Sequence, residues 1–212
     1  MPGFAHTAIR GIIFDLDGTL YVSEPFAATI QEAAVGYIAA LKGISGDEAS
    51  SLMKATRTRL SEAQGITPTL SAVCCELGGS IRDLHAIFEA LLRPESYLVR
   101  DERVVSLLER LSRRFDLCVY TNNNRALTTR IVAYLGLDGF FRHIFAIDDR
   151  WRAKPDKGML EQILDRLGLA PAEALFVGDR YDVDLRLPEQ QGCPVYLSQS
   201  VEQLLRLEDL LN

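Results

Sequence analysis

Two aspartates at the end of an apolar run are the first residues in this chain that suggest chemistry. Asp15 and Asp17 follow residues 9–14, which are mostly apolar, and precede Gly18. Side chains two positions apart on a strand point to the same side, so both carboxylates converge if the chain turns only at Gly18. Carboxylates that close repel each other and usually need a cation or a shared proton. The alternative is an ordinary strand followed by an Asp-Gly turn.

Two further apolar runs also end in polar residues. Residues 118–120 are followed by Thr121, and residues 176–178 are followed by Asp179. Between them, Lys154 precedes a proline that starts a predicted helix and stiffens the turn carrying the lysine. The ligand crevice of an open parallel sheet lies outside the carboxyl ends of its strands. The sequence therefore predicts that three strands deliver Asp, Thr and Asp side chains to one edge of a sheet.

The elements that must position these residues follow from hydrophobic periodicity. After the first strand the pattern is helical as far as residue 92, and from residue 101 helices alternate with short apolar strands. Such alternation implies right-handed crossovers and a parallel sheet with helices on both faces. The predicted fold class is therefore α/β, a Rossmann-like sheet with an inserted α-helical cap. We predict helices over 24–41, 47–64, 68–77, 80–92, 101–114, 125–135, 156–167, 184–191 and 201–211, and strands over 116–120, 144–147, 174–177 and 195–197.

Composition and charge narrow the class of protein. The chain has 212 residues, 48% of them apolar, so it can bury a full core. A net charge of -6 and scattered Lys and Arg residues argue against a nucleic-acid partner. Residues 1–10 lack a leader pattern and no uncharged segment reaches membrane-spanning length, so we expect no membrane association. A reduced cytoplasmic compartment is expected, because the adjacent residues Cys74 and Cys75 seldom bridge each other and no metal-ligand spacing relates them to Cys118 and Cys193. The sequence does not indicate an oligomeric state.

Four motifs in this order resemble those of the haloacid dehalogenase superfamily. The resemblance covers residues 9–20 and 100–197, and four matches in the correct order are far more specific than any single one. The matching segments are Asp15-Leu16-Asp17-Gly18-Thr19, Thr121-Asn122, Lys154-Pro155 and Gly178-Asp179-Arg180-Tyr181-Asp182-Val183-Asp184.

The resemblance implies catalytic roles for the two aspartates of the first motif. Asp15 would be the nucleophile that accepts the phosphoryl group as an aspartyl phosphate. Asp17 would protonate the leaving alkoxide and then act as base for the attacking water. The dehalogenases and the phosphonate hydrolases of the superfamily lack this second aspartate. Its presence therefore favours phosphate-ester hydrolysis.

The resemblance also implies how phosphate would be held. Thr121 and the backbone N–H groups of Gly18 and Asn122 would bind phosphate oxygens. Lys154 would balance the clustered negative charge and contact the same group. These residues are the predicted substrate-binding set, and Thr121 and Lys154 are also counted as catalytic.

A magnesium site is the third implication. Asp15, the backbone carbonyl of Asp17, and Asp179 would be direct ligands, with Asp184 binding through water or orienting its neighbours. Ligands made only of oxygen suit Mg²⁺, which bridges carboxylate and phosphate. Asp182 is an additional acid in the same motif. The spacing in the family favours Asp184 over Asp182 as the acid next to the direct ligands.

Motif spacing predicts the domain organisation. Asp17 and Thr121 are 104 positions apart, whereas Thr121 and Lys154 are only 33 apart. A large insertion must therefore follow the first strand. We predict a catalytic core formed by 1–20 and 97–212, with a helical cap over 21–96 that excludes water and contacts the leaving group.

The predicted activity is Mg²⁺-dependent hydrolysis of a small phosphorylated metabolite. Pyrimidine 5′-nucleotidase, phosphoglycolate-type phosphatase and sugar phosphomutase remain open as the specific activity. A phospho-accepting receiver domain or an inactive binding module are alternatives from another class. Tyr21 either stacks on a substrate base or packs in the hinge. Three cap cations either contact an anionic substrate tail or form a solvated helix face, namely Lys54, Arg57 and Arg59.

Overall fold

A parallel β-sheet forms the centre of the computed structural model, which describes residues 9–211. Within those residues the sheet has five strands in the order β3-β2-β1-β4-β5, and every neighbouring pair is parallel. The predicted α/β class is confirmed. Most of segment 1–10, where no leader was expected, lies outside the described residues. The strands are β1 (Gly11–Phe14), β2 (Asp116–Tyr120), β3 (His143–Phe145), β4 (Ala174–Gly178) and β5 (Val195–Leu197).

The central strands are apolar throughout because both faces of the sheet are covered. Ile12 and Phe14 of β1 belong to one buried cluster, whereas Ile13 between them belongs to a second cluster. Strands β2 and β4 alternate between the same two clusters. This is the period of two expected when a strand is buried on each side.

Helices supply both covering layers and the insertion. Four helices between β1 and residue 93 pack against one another and form a unit that we call the cap. None of the helices in residues 9–211 combines the length and apolar character needed to cross a membrane. The helices are α1 (Glu24–Lys42), α2 (Gly46–Gln64), α3 (Leu70–Glu76) and α4 (Ile81–Leu91) in the cap, then α5 (Glu102–Ser112), α6 (Arg125–Tyr134), α7 (Lys157–Leu167), α8 (Arg186–Gln190), α9 (Val201–Leu205) and α10 (Leu207–Leu210).

Each cap helix begins at a hydroxyl-bearing residue whose side-chain oxygen accepts a backbone N–H bond. Ser45 forms a full capping box with Glu48 at the start of α2. The start of α4 is held against the core, because the side chain of Asn124 donates to the backbone oxygen of His85 at 2.8 Å. The capping residues are Ser23, Ser45, Thr69 and Ser80.

Most predicted elements agree with the structure to within about two residues at each end, and three of them are interrupted by, or change into, another kind of turn. The helix expected over 184–191 opens as a π-helical turn, Tyr181–Leu185, before α8. The helix expected over 201–211 is divided into α9 and α10, because bonds such as Arg206 N–H to Gln203 O at 3.1 Å tighten the chain there. The strand expected over 144–147 ends at Phe145 and continues as a 3₁₀ turn.

Candidate active site

The site lies where strand order reverses. Strand β1 pairs with β2 on one side and with β4 on the other, so successive crossovers leave a crevice beyond its carboxyl end. Asp15, Thr121 and Asp179 directly follow these three strands. The tertiary fold therefore brings together residues that are 164 positions apart in the sequence, from Asp15 to Asp179.

Three carboxylates form a compact cluster at this edge. One oxygen from each of Asp15, Asp179 and Asp184 lies within 4.8 Å of the others. Burial raises the pKa of Asp15 to about 8 and that of Asp179 to about 6, and repulsion from Asp184 adds to both effects. Asp179 Oδ1 is buried and accepts no hydrogen bond. Such a cluster has room and unsatisfied oxygen atoms for a divalent cation.

Lys154 supplies the buried positive charge of the site. Its Nζ lies 2.5 Å from Asp15 Oδ1, 2.6 Å from Asp184 Oδ1 and 3.0 Å from the backbone oxygen of Tyr120. Burial works against the charged form of Lys154, but the two carboxylates outweigh it and hold its pKa above the usual range. The ammonium is therefore charged at working pH and fixed beside Asp15.

Asp17 is held by contacts on both of its oxygens, and sequence reasoning missed both. The Tyr21 hydroxyl donates to Oδ1, and the side-chain amide of Asn123 donates to Oδ2 at 2.7 Å. Burial raises the pKa of Asp17, and these two hydrogen bonds partly offset the rise. The sequence offered two signs of these contacts, a tyrosine four residues after Asp17 and an asparagine two residues after Thr121.

Tyr21 packs in the hinge between core and cap. Its side chain is buried, and its ring centroid lies 6.4 Å from that of Phe26. Because its hydroxyl is bonded to Asp17 and its ring is covered, the ring is not free to stack on a base. The packing alternative is therefore favoured over base stacking.

The predicted phosphate-binding groups differ in the hydrogen bonds that they already make within the protein. The Thr121 hydroxyl accepts from the Asn123 N–H at 3.0 Å, which leaves its own proton free to donate. Asn122 accepts from the Lys154 N–H at 2.8 Å, and its own side-chain nitrogen is buried without a partner. The Gly18 N–H donates to Tyr21 O at 2.9 Å in this structure, and its contact with phosphate stays a prediction.

Gly18 also has a packing role. Its φ of 82° is in the left-handed region, and a Cβ there would lie 2.5 Å from Asp179 Oδ2. Gly178 has a comparable role, because a Cβ at that position would lie 2.5 Å from Cβ of Asp184. Gly18 therefore allows the first and last motifs to approach closely, and Gly178 allows Asp184 to pack against the beginning of its own motif.

Asp182 and Asp184 of the last motif both lie in the π-helical turn, but their side chains have different surroundings. Asp184 is buried, and its Oδ2 accepts the Arg180 N–H at 3.0 Å while its Oδ1 faces Lys154. Asp182 points outward and pairs with Arg186 at 3.3 Å. The geometry favours Asp184 as the acid of the site.

A cavity of about 390 Å³ separates the cap from this edge of the core. Asp17, Asn122 and Asp179 line its core side, and residues of α1, α3 and α4 line the other. The three cap cations considered above, Lys54, Arg57 and Arg59, are absent from its lining. Arg57 bonds to Gln31 and Arg59 to Glu76, as expected of a solvated helix face.

A buried lysine beside a cluster of carboxylates that could hold a divalent cation suits an enzyme that acts on phosphorylated substrates. Residues 9–190 match the family model of haloacid dehalogenase-like hydrolases. The chain belongs to that family. The predicted family and the predicted class of enzyme, a phosphatase, are both confirmed.

Curated relatives agree with this assignment, and a solved structure shares the fold. A phosphoglycolate phosphatase of Pectobacterium atrosepticum is 29% identical over 88% of this chain and 79% of its own length. A glyceraldehyde 3-phosphate phosphatase of Methanocaldococcus jannaschii is 28% identical over 87% of this chain and 82% of its own length. The crystal structure of a HAD phosphatase from Thermococcus onnurineus has the same fold, with a TM-score of 0.65 and 21% identity over 96% of this chain and 98% of that one.

Proposed function

We propose that this protein hydrolyses a small phosphomonoester with the help of Mg²⁺, through an aspartyl phosphate on Asp15. The observation that carries the proposal is the contact of the Asp15 carboxylate with Lys154, beside the acid cluster. The test is phosphate release from p-nitrophenyl phosphate and from a panel of phosphorylated metabolites, with Mg²⁺ and with a chelator. Release that is unaffected by the chelator contradicts the proposal, and formation of an isomeric sugar phosphate indicates a mutase.

The first step transfers the phosphoryl group to the protein. Asp15 attacks phosphorus, and the bond between phosphorus and the leaving oxygen breaks. Asp17 gives its proton to that oxygen, and its raised pKa supports a protonated form when substrate arrives. Lys154 and the Thr121 hydroxyl stabilise the negative charge of the transferring group.

The second step releases phosphate. Asp17, now ionised, takes a proton from water, whose oxygen attacks phosphorus and breaks its bond to Asp15. Tyr21 and Asn123 hold Asp17 in one orientation through both steps. We further propose that residues 21–96 act as the cap that excludes bulk water during this cycle, which the cavity between core and cap supports.

The residues that would hold the cation fit Mg²⁺. Asp15, Asp179 and Asp184 offer carboxylate oxygens, and Asp179 Oδ1 has no other hydrogen-bond partner. We propose that the backbone carbonyl of Asp17 completes this set. When bound, the cation would neutralise charge on the phosphate and on the acid cluster.

Saturating Mg²⁺ should raise the melting temperature of the wild-type protein by about 5 °C, because binding only to the folded state stabilises it. Asp179→Asn should lose at least half of this shift. Asp182→Asn is the matched control and should keep the shift, since its carboxylate pairs with Arg186 outside the cluster. Equal shifts for wild-type and Asp179→Asn proteins, measured by differential scanning fluorimetry, contradict the proposed ligand set.

Tyr21→Phe should impair turnover only where the leaving group needs a proton. Loss of one hydrogen bond that orients Asp17 should lower kcat/KM for an alkyl phosphate about tenfold. The value for p-nitrophenyl phosphate should change less than about twofold, because nitrophenolate leaves without protonation. Tyr134→Phe, at an exposed position, is the control. Equal losses on both substrates would indicate a merely structural role for Tyr21.

A further inference from the structure

The cap side of the active-site cavity carries almost no charge. Phe26, Ile30 and Phe88 give it an apolar wall, and Thr69 and Ser71 add hydroxyl groups. Glu24 is the one formally charged cap residue in the lining, and it is negative. A leaving group bound there meets apolar surface, hydroxyls and a carboxylate.

His85 does not supply a positive charge to this wall. Its side chain is buried, and burial lowers its pKa to about 4, so the imidazole is neutral at working pH. Its Nε2 lies 3.5 Å from the Ser71 hydroxyl. The pair therefore presents neutral hydrogen-bonding groups, oriented by contact with each other.

Arg180 is the cation of the lining, and it belongs to the core. Its Nε lies 3.9 Å from Asp179 Oδ1. Its charge also lowers the pKa of Asp17. The guanidinium therefore balances the carboxylates of the catalytic edge rather than offering an unshared charge to the leaving group.

We propose that the cap selects phosphomonoesters whose leaving group is uncharged and carries a hydroxyl, and that it discriminates against leaving groups with a carboxylate. The inference rests on the proposed phosphatase activity and narrows its substrate class. A second anionic group would lose its hydration against Phe26, Ile30 and Phe88 without gaining a cap cation. It would also approach Glu24 and be repelled. A hydroxyl would instead find Thr69 and Ser71.

The first test uses two substrates that differ only at the far end of the leaving group. We expect kcat/KM for 2-hydroxyethyl phosphate to exceed that for phosphoglycolate at least about tenfold, which corresponds to one unpaired buried group. Glu24→Gln should raise the ratio of kcat/KM for phosphoglycolate to kcat/KM for 2-hydroxyethyl phosphate about twofold or more. Glu32→Gln removes the same charge from the same helix outside this cavity and should leave the ratio unchanged. Equal or better turnover of phosphoglycolate by the wild-type protein overturns the proposal.

The second test examines the hydroxyl contact. Ser71→Ala should lower the ratio of kcat/KM for glycerol 3-phosphate to that for n-propyl phosphate about three- to tenfold, because only the first substrate has hydroxyls to bind. An unchanged ratio overturns the role of Ser71. Turnover of p-nitrophenyl phosphate by the wild-type protein, compared with Asp15→Asn, separates failure of the substrate class from failure of the proposed phosphatase activity. If this turnover depends on Asp15 but phosphoglycolate is the preferred substrate, only the substrate class is wrong. If no turnover depends on Asp15, the proposed function itself fails.

Discussion

Asp15→Asn should abolish phosphate release, lowering kcat by at least about 10⁴-fold on every substrate that the wild-type protein turns over. The amide cannot attack phosphorus, and the other carboxylate in contact with Lys154, that of Asp184, has its second oxygen bound to the Arg180 N–H. Acid-quenched wild-type protein should carry an acyl phosphate at Asp15 during turnover, detectable by intact mass and peptide mapping. The variant should carry none.

The variant should nevertheless be folded. Burial raises the pKa of Asp15 from 3.8 to about 8, so the folded state holds this proton more tightly than the unfolded state does. The stabilisation from that proton is present below about pH 4 and is lost as pH rises toward 8. In metal-free buffer at pH 8 the wild-type protein therefore contains a costly buried anion, which asparagine removes. We expect Asp15→Asn to melt no lower than wild type under these conditions.

Asp138→Asn is the matched control for Asp15→Asn. Asp138 is exposed beyond α6, so its substitution removes one charge without touching the site. It should retain full activity and should still form the acyl phosphate. Wild-type turnover by a folded Asp15→Asn protein would refute the proposed nucleophile.

Lys154→Met should damage both activity and stability. The loss of the ammonium that faces the transferring phosphoryl group should reduce kcat about 10³-fold. It also leaves Asp15 and Asp184 buried without their shared partner, which should cost about 3 kcal/mol of unfolding free energy at pH 8. The measurements are steady-state kinetics and urea unfolding.

The stability deficit of Lys154→Met should depend on pH. The charge of the lysine lowers the pKa of Asp15, so without it that pKa rises further. Protonation of Asp15 then stabilises the folded variant at low pH, and that contribution is lost as pH increases. The deficit should therefore be smaller at pH 5.5 than at pH 8. Lys157→Met, on the exposed face of α7, should change stability by less than about 0.5 kcal/mol at either pH. A Lys154→Met protein as stable and active as this control contradicts the assigned role.

Several features of the fold were predictable because they depend on local chemistry. The limits of β2 and β5 coincide with the predicted strands, because turn residues on each side of an apolar run fix where the strand begins and ends. The cap helices begin near the predicted positions because hydroxyl and acidic side chains cap them. The ends of the chain segments around 181–191 and 201–211 were less predictable, because packing against the sheet rather than periodicity decides where a π-turn or a 3₁₀ bond interrupts a helix.

The candidate site was predicted in part. The order of the four motifs in the sequence indicated Asp15, Thr121, Lys154 and Asp179 as site residues, and the fold brings all four to one edge of the sheet. The Tyr21 contact was missed because its donor lies on a hinge whose path depends on how the cap docks. The hydrogen bond from the Gly18 N–H to Tyr21 O was not predicted for the same reason, since it depends on the path of that hinge.

The sequence by itself determined the chemical groups of this protein and the order in which strands deliver them. Residue types fix which atoms can attack, donate protons or hold a cation, and strand ends fix the edge on which Asp15 and Asp17 emerge. Only the tertiary structure decided the difference between the two carboxylates. Asp15 contacts Lys154 and the acid cluster, whereas Asp17 is held by Tyr21 and Asn123 at the cavity. The charge of the cavity wall was likewise decided in three dimensions, because exposure and orientation of cap residues depend on packing between helices distant in the chain.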